Sequence, residues 1–313
     1  MIKFLLRRLG QAIPVLIGVS IVVFLTTKLV PGSPVDALLG PSAPPGARAR
    51  LIASYGLDRS VPEQFILWIT HVIQGNLGMS ISQQQPVASL VLPALFNTLI
   101  LTVGAGLLAF AGGLLLGLAA ALRPAKWTAR IASGFSVLAV SAPQYAVALA
   151  LLIYLAVYAR ILPSGGIHTT GVTGLPDLLT HMALPVVAAG LAPMGIMARV
   201  FRTEMLSVLQ SDFVEALRAR GLPRRRIILH AVHNAMPAYF TIGGLQLAFL
   251  IGGAVLVEAI FAWPGLGLLV VNAVSSRDLP VLEAGVLLTA VCLVIVNLAV
   301  DAGRALIDPR IRR

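Results

Sequence analysis

Charge is scarce in this 313-residue sequence, with Asp, Glu, Lys and Arg together making up 11% of it. Soluble domains carry about 25%, so there is too little polar surface to cover a water-exposed globule. Cysteine is nearly absent: the single Cys292, inside an apolar run, excludes an intrachain disulfide framework and a thiolate metal cluster. There is no G-x-x-x-x-G-K-[ST] to cradle phosphates, no H-E-x-x-H, and no G-x-S-x-G elbow to set a serine against His181. His230 and His233 stand at i,i+3 without a nearby carboxylate and read as an interfacial, hydrogen-bonded pair rather than a metal site. Ionisable residues are also rare within the long apolar runs. Lys28, Glu258, Glu283 and Asp301 all fall near run ends, which argues against a carrier driven by a mid-membrane carboxylate relay. The expectations are no catalytic residue, no metal and no cofactor on this chain.

What is present is apolar. Hydrophobic residues make up 58% of the chain, and the formal net charge is +11; the mean hydropathy is +0.93. A basic excess on so apolar a chain points to a membrane and its lipid, not to nucleic acid. A helix needs about 20 residues to cross a hydrocarbon core. Stretches near 9–30, 97–122, 131–158, 236–257 and 281–303 are long enough, and one near 180–198 qualifies despite Pro185 and Pro193. The expected architecture is all-α and integral to the membrane, with six transmembrane helices.

Charge asymmetry orients these spans. With the N-terminus inside, the inner segments hold Lys3, Arg7 and Arg8, then Arg123, Lys126 and Arg130. They also hold the arginines from Arg199 to Arg226 and those of the C-terminal tail. Only Lys28, Arg48, Arg50, Arg59, Arg160 and Arg277 fall outside, where acids slightly outnumber them. Positive-inside bias therefore places both termini in the cytoplasm. The first span follows basic residues as a signal peptide would. It is longer than a signal core and runs into Pro31-Gly32-Ser33-Pro34 with no A-x-A-like site, so it reads as a retained anchor. Segment 31–93 is the most soluble-like part. Turn formers open it, and short helices are expected near 47–56 and 62–74, the latter aligning Phe65, Ile66, Ile69 and Ile73.

The inner loop near 199–237 is the most informative segment. Leu206, Leu209, Phe213, Ala216 and Leu217 form an apolar stripe, Gly221 suits a left-handed helix cap, and Pro223 opens the next element. On pattern alone, a short basic helix of this kind fits a groove in a cytoplasmic protein or anchors on anionic lipid equally well. Small residues recur in the spans, as in Gly113-x-x-x-Gly117, where helices can approach closely.

Glu215-Ala216-Leu217 with Gly221, Leu222, Pro223 and Arg224, followed by Asn234-Ala235 and Pro237, resembles the EAA loop of importer-type ABC permeases. The opening from Phe4 to Gly10, Pro31-Gly32-Ser33-Pro34, Tyr55-Gly56-Leu57-Asp58, Gly75-Asn76-Leu77-Gly78, Glu258 to Gly267, Arg277-Asp278-Leu279-Pro280 and Asp308-Pro309-Arg310 come in family order. The set is similar to the first permease subunit of dipeptide/oligopeptide importers. The resemblance implies a type I importer fold: an anchor over 1–30, an extracytoplasmic domain over 31–93, a core over 94–306 with its coupling loop at about 206–237, and a tail over 307–313. It further implies a second homologous permease, two cytoplasmic ATPases that hold ATP and Mg, and an extracytoplasmic binding protein of the lipid-anchored kind. Pro143, Pro185 and Pro193 are then candidate hinges. Glu258, Phe261, Trp263, Pro264, Gly265 and Asp278 are candidates for an outer-mouth or binding-protein contact. Replacing Trp263 and Glu258 is accordingly expected to lower transport without disturbing assembly. Departures from the family pattern are Leu217 where alanine is usual, Asp308 in place of asparagine, and a short Gly/Thr-rich loop from Arg160 to Asp177. Cargo stays open among dipeptides, oligopeptides, haem and nickel complexes. A stand-alone secondary transporter is the reading from another class.

Overall fold

A computed structural model describes residues 2–29, 46, 52, 58–122, 127–172 and 174–307. The short helix expected near 47–56, the Pro31-to-Pro45 turns and the Asp308-Pro309 motif lie outside these residues. The helices are α1 (Ile2–Leu29), α2 (Val61–Ile73), α3 (Val87–Leu122), α4 (Trp127–Ser141), α5 (Gln144–Leu151), a π-helix (Leu152–Tyr158), α6 (Leu175–Leu209), α7 (Asp212–Ala219), α8 (Arg224–Ile260), α9 (Leu266–Ser276) and α10 (Leu279–Ile307). Among the described residues, extended backbone pairs only at the antiparallel bridge between Met79 and Pro86.

Among the described residues the apolar helices give up to six spans, the expected number, but the one near 131–158 is broken. Five helices are long and apolar enough to cross a membrane: Arg7–Leu29, Val87–Leu122, Leu175–Leu209, Arg224–Ile260 and Leu279–Gly303. The remaining apolar stretch is a bent pair, Ala129–Ser141 and Gln144–Tyr158, meeting at 104°. Pro143 accounts for the break. It has no N–H to continue the ladder, and it biases Ala142 away from helical dihedrals; at φ −58°, ψ 131° it starts α5. Pro185 and Pro193, by contrast, are buried inside the uninterrupted α6.

The chain divides into two compact units. The first comprises 1–6, 98–263 and 295–313. Its two larger core clusters lie around Leu101, Ala105, Leu184, Leu250, Val257 and Trp263 and around Met194, Met197, Phe201, Met205 and Tyr239. In lipid, helices gain little from burying apolar surface, so close packing and interhelical hydrogen bonds hold them together. Tyr239 donates its hydroxyl to the Phe110 carbonyl at 2.5 Å, and its ring packs between those of Phe110 and Phe201. The Gly113-x-x-x-Gly117 pattern faces α6: a Cβ on Gly117 would stand 2.7 Å from the Ala198 carbonyl oxygen and 3.0 Å from Phe201 Cβ.

The second unit comprises 7–97 and 264–294. Val87, Val91, Leu266, Ala273, Val281 and Ala284 form its core. The α2 helix opens with Pro62 in its first turn and with Glu63 accepting the Ser60 N–H at 3.1 Å. Its Phe65 and Trp68 rings pack on Phe24 of α1. Thr27 of α1 donates to Glu283 of α10 at 2.7 Å, and Lys28 sits over the Phe24 ring while donating to Gln64.

Gly117→Val should therefore lower stability by about 1–3 kcal/mol, because the helices must part to admit the side chain. Gly134→Ala, where a Cβ meets nothing within 4 Å, should be neutral or stabilising by about 1 kcal/mol. Thermal unfolding of the detergent-solubilised protein separates the two.

Candidate functional site

The α7 helix and its exit turn are built from local rules. Asp212 and Glu215 sit in the first turn, where carboxylates favour the positive end of the helix dipole. At the other end Leu222 N–H bonds to the Leu217 carbonyl at 3.2 Å and Gly221 N–H to that of Arg218 at 2.9 Å. That pair of bonds is a Schellman motif, and it needs a left-handed residue at Gly221, which has φ +71°. The apolar contact that accompanies this motif is supplied by Leu217 and Leu222, packed with Val214 and Ile227. Leu217, the departure from the usual alanine, thus has a structural reason: it seals the turn from α7 into α8.

Two features of the expected loop are corrected. Phe213 and Ala216 are exposed and the buried positions are Val214 and Leu217, because the short helix turns its apolar edge toward Ile227 of α8. Phe213 instead sets its ring edge-to-face on His230 at 6.4 Å. Arg224, Arg225 and Arg226 are not on the short helix; they are the exposed first turn of α8, after Pro223 at its N-cap. Cations at a helix N-terminus oppose the dipole, so they do nothing for the stability of α8. The resulting surface carries Glu215, Ala216 and Phe213 beside Gly221, Pro223 and three arginines, all solvent-accessible in the isolated chain.

The second group of candidates is differently placed. Phe261 and Trp263 are fully buried in the first unit's core, and Glu258 is buried as well, accepting the Thr98 hydroxyl at 2.6 Å. Trp263 is therefore neither an interfacial belt residue nor an exposed contact. A reversal of α8 explains this: Trp263 N–H bonds to the Glu258 carbonyl at 2.9 Å with Ala262 left-handed at φ 47°, which folds the aromatic residues back onto the helix. Gly165 and Gly166 lie against this turn, Gly166 N–H donating to the Phe261 carbonyl at 2.9 Å. Their loop is pinned again at Asp177, which accepts from Thr169 N–H at 3.0 Å and its hydroxyl at 2.8 Å, with His168 Nδ1 at 2.9 Å. Pro264 is exposed and Gly265, at the N-cap of α9, is not. The stretch after Gly265 is the helix α9.

Asp278, in the second unit, is buried and organises two sequence motifs at once. Its Oδ2 accepts the hydroxyls of Ser80 at 2.5 Å and Ser82 at 2.7 Å and the Ser82 N–H at 3.0 Å. Its Oδ1 accepts the Ile81 N–H at 3.2 Å and that of Val281 at 3.4 Å, so it also caps α10. The turn after Gly75-Asn76-Leu77-Gly78 and the start of Arg277-Asp278-Leu279-Pro280 thereby become one structure. Burial pushes this carboxyl up, but hydrogen bonds from Ser80, Ser82 and Ile81 outweigh it and hold it below the ordinary carboxylate value.

Sequence reasoning missed several elements. The π-helix bonds Ala159 N–H to the Tyr154 carbonyl at 3.0 Å and leaves Tyr154 and Tyr158 exposed, their rings tilted by 40° with centroids 6.2 Å apart; neither glycine nor proline marks it. Val214 is signalled only by its spacing from Leu217. Among the described residues, no three His, Cys, Asp or Glu side chains gather as a metal site.

Trp263→Ala should cost about 3–5 kcal/mol as a buried cavity mutation, so reduced assembly in membranes, measured by protein level and thermal unfolding, replaces the expectation of transport loss alone. Asp278→Asn should lower stability at neutral pH, and the deficit has a defined pH course. A lowered folded value means the carboxylate's contribution is complete above the unfolded value near 4 and fades as the pH drops through the folded one. Wild type and variant should converge in acid, and a deficit independent of pH would contradict the carboxylate assignment.

Comparison with known proteins leads to the same place. The family described as "Binding-protein-dependent transport system inner membrane component" matches residues 113–313, and its N-terminal companion matches 1–102. A dipeptide transport system permease protein of Escherichia coli K12 is 34% identical over 100% of this chain and 99% of its own length. A glutathione transport system permease protein of Salmonella choleraesuis is 36% identical over the same shares. The solved MetNI methionine ABC transporter, in inward-facing conformations, shares the fold with a TM-score of 0.56 at 18% identity, over 70% of this chain and 96% of that one. With relatives of one kind along its whole length, this chain belongs to the binding-protein-dependent inner membrane components: it is a multi-pass permease subunit of an ABC importer, in which ATP is hydrolysed by separate subunits.

Proposed function

We propose that this chain forms half of the pathway for dipeptides or short oligopeptides, paired with a second, homologous permease. Two cytoplasmic ATPases engage the α7 turn. ATP and Mg bind on those subunits, and this chain holds no cofactor of its own. An extracytoplasmic, lipid-anchored binding protein delivers the cargo. Both termini and the Arg224–Arg226 turn face the cytoplasm, as the distribution of basic residues favours. The peptide cargo is supported by the dipeptide and glutathione transport named for its relatives.

One observation carries the docking reading. The Schellman turn at Gly221 fuses a short exposed helix to the first turn of α8, a long membrane helix. A push on α7 is thus delivered directly to α8 through the packed Val214, Leu217 and Ile227 side chains. The bend at Pro143, where helical bonding is already interrupted, is the natural pivot on the neighbouring span; Pro185 and Pro193 offer weaker ones within α6.

Gly221→Pro tests the assignment, since proline requires φ near −65° where the chain has +71°. The variant should reach the membrane at a normal level while losing ATPase co-purification and peptide uptake. Gly221→Asn, which tolerates the left-handed region, should retain both. Full ATPase retention and transport by Gly221→Pro would remove the docking assignment.

A further inference from the structure

A cavity of about 180 Å³ lies among α3, α4 and α6 of the first unit, apart from the α7 turn and from the buried Phe261–Trp263 reversal. Leu116, Ala132 and Val137 form its apolar side; Ser133, Arg199 and Arg202 form its polar end. Arg202 donates one N–H to the Ser133 hydroxyl at 3.0 Å. Its Nε is buried and has no hydrogen-bond partner among the described residues. Among the described residues, no carboxylate lines the cavity. An arginine cannot shed its proton, and a buried donor left without an acceptor is costly. The Nε–H edge of the Arg202 guanidinium is therefore placed to donate to an acceptor in this cavity, and an oxyanion is its strongest match.

The surroundings select the kind of oxyanion. The cavity is close to where α3 stops at Leu122 and α4 begins at Trp127, so it sits toward the edge of the apolar layer rather than at its middle. Trp127 is exposed there, as are Leu115, Ile131 and Leu138 on the flanking helix faces. Exposed aromatic residues at a span end mark headgroup depth, and the exposed aliphatic faces offer a bed for acyl chains. A basic pocket between membrane helices with these neighbours suits a lipid headgroup, and arginine matches phosphate oxygens through paired N–H donors.

We propose that this cavity binds the phosphate of an anionic phospholipid, with Arg202 as its principal ligand, Arg199 as a second cation and Ser133 as the group that orients Arg202. The site is independent of cargo and of ATPase docking, so it stands or falls apart from the peptide-importer reading.

Native mass spectrometry and thermal unfolding of the intact importer complex in mild detergent test it. The probes are phosphatidylglycerol, phosphatidylcholine with the same acyl chains, and inorganic phosphate. Wild type should retain phosphatidylglycerol in preference and gain thermal stability from it. Arg202→Gln should lose about tenfold of that preference, the loss expected from removing one charge-assisted contact. Arg202→Lys, which keeps the charge without the lateral N–H, should fall between. Ser133→Ala, a mild change that keeps the test open if Arg202→Gln fails to fold, should weaken it in the same direction. Arg59→Gln, on the exposed surface of the second unit, should leave it unchanged. Equal retention of the two lipids by wild type would overturn the proposal, as would undiminished preference in both Arg202→Gln and Ser133→Ala. Equal stabilisation by inorganic phosphate alone would assign the cavity to a free anion and overturn the lipid assignment.

Discussion

The last carbonyls of a helix have no partner within it, and the chain that follows must supply one. In this chain that requirement is met the same way at three successive reversals. After α7, α8 and α9, a left-handed residue turns the chain so that the next N–H bonds back to a carbonyl five residues earlier: Leu222 to Leu217, Trp263 to Glu258, and Asp278 to Ala273. The left-handed residues are Gly221, Ala262 and Arg277. Each reversal also delivers one side chain to a position that the surrounding structure uses. Leu222 seals the α7 turn, Trp263 enters the first unit's core, and Asp278 reaches the serines of the 80–82 turn.

Between the reversals, cohesion comes from close approach and from a few polar links. Within the first unit, glycines on α3 admit the backbone of α6, while Tyr239 and Glu258 tie α8 to α3 through Phe110 and Thr98. Within the second, Thr27 with Glu283 and Asp278 with Ser80 and Ser82 play the same part. Interhelical bonds of this sort are worth about 0.6–2 kcal/mol each in a membrane. Their value lies mainly in register, since a slipped helix leaves a polar group in hydrocarbon.

For a permease, this construction separates rigid from responsive parts. The α7 turn is short, exposed on one face and stitched to α8 by three apolar side chains, so a force applied there meets little compliance before it reaches the membrane helix. In the bent α4–α5 pair and the π-helix the backbone bonding is already irregular, so rearranging it forfeits fewer regular helix bonds. The turn at Phe261–Trp263 has its aromatic side chains buried and is bonded to its neighbour at Gly166.

The order of elements was legible in the sequence because apolar length and charge gaps are local properties. The uncharged run from Val87 to Leu122 is the helix α3, and the spacing of Phe65, Ile66, Ile69 and Ile73 falls within α2. Gly221 and Pro223 announced their turn because only those residue types suit those dihedrals so well. The left-handed positions at Ala262 and Arg277 carried no such mark, since alanine and arginine are ordinary helix residues and packing alone holds them there. Burial was equally invisible: Trp263 and Phe213 are both aromatic residues beside a turn, yet one is in the core and the other on the surface. The sequence by itself determined a basic, multi-span, all-helical chain with one glycine-capped turn between α7 and α8. Only tertiary structure decided which side of each turn faces inward, that Asp278 joins two distant motifs, and that Arg202 ends beside a cavity with an unanswered donor. Those outcomes depend on residues far apart in the chain, and local preferences are silent about who their neighbours are.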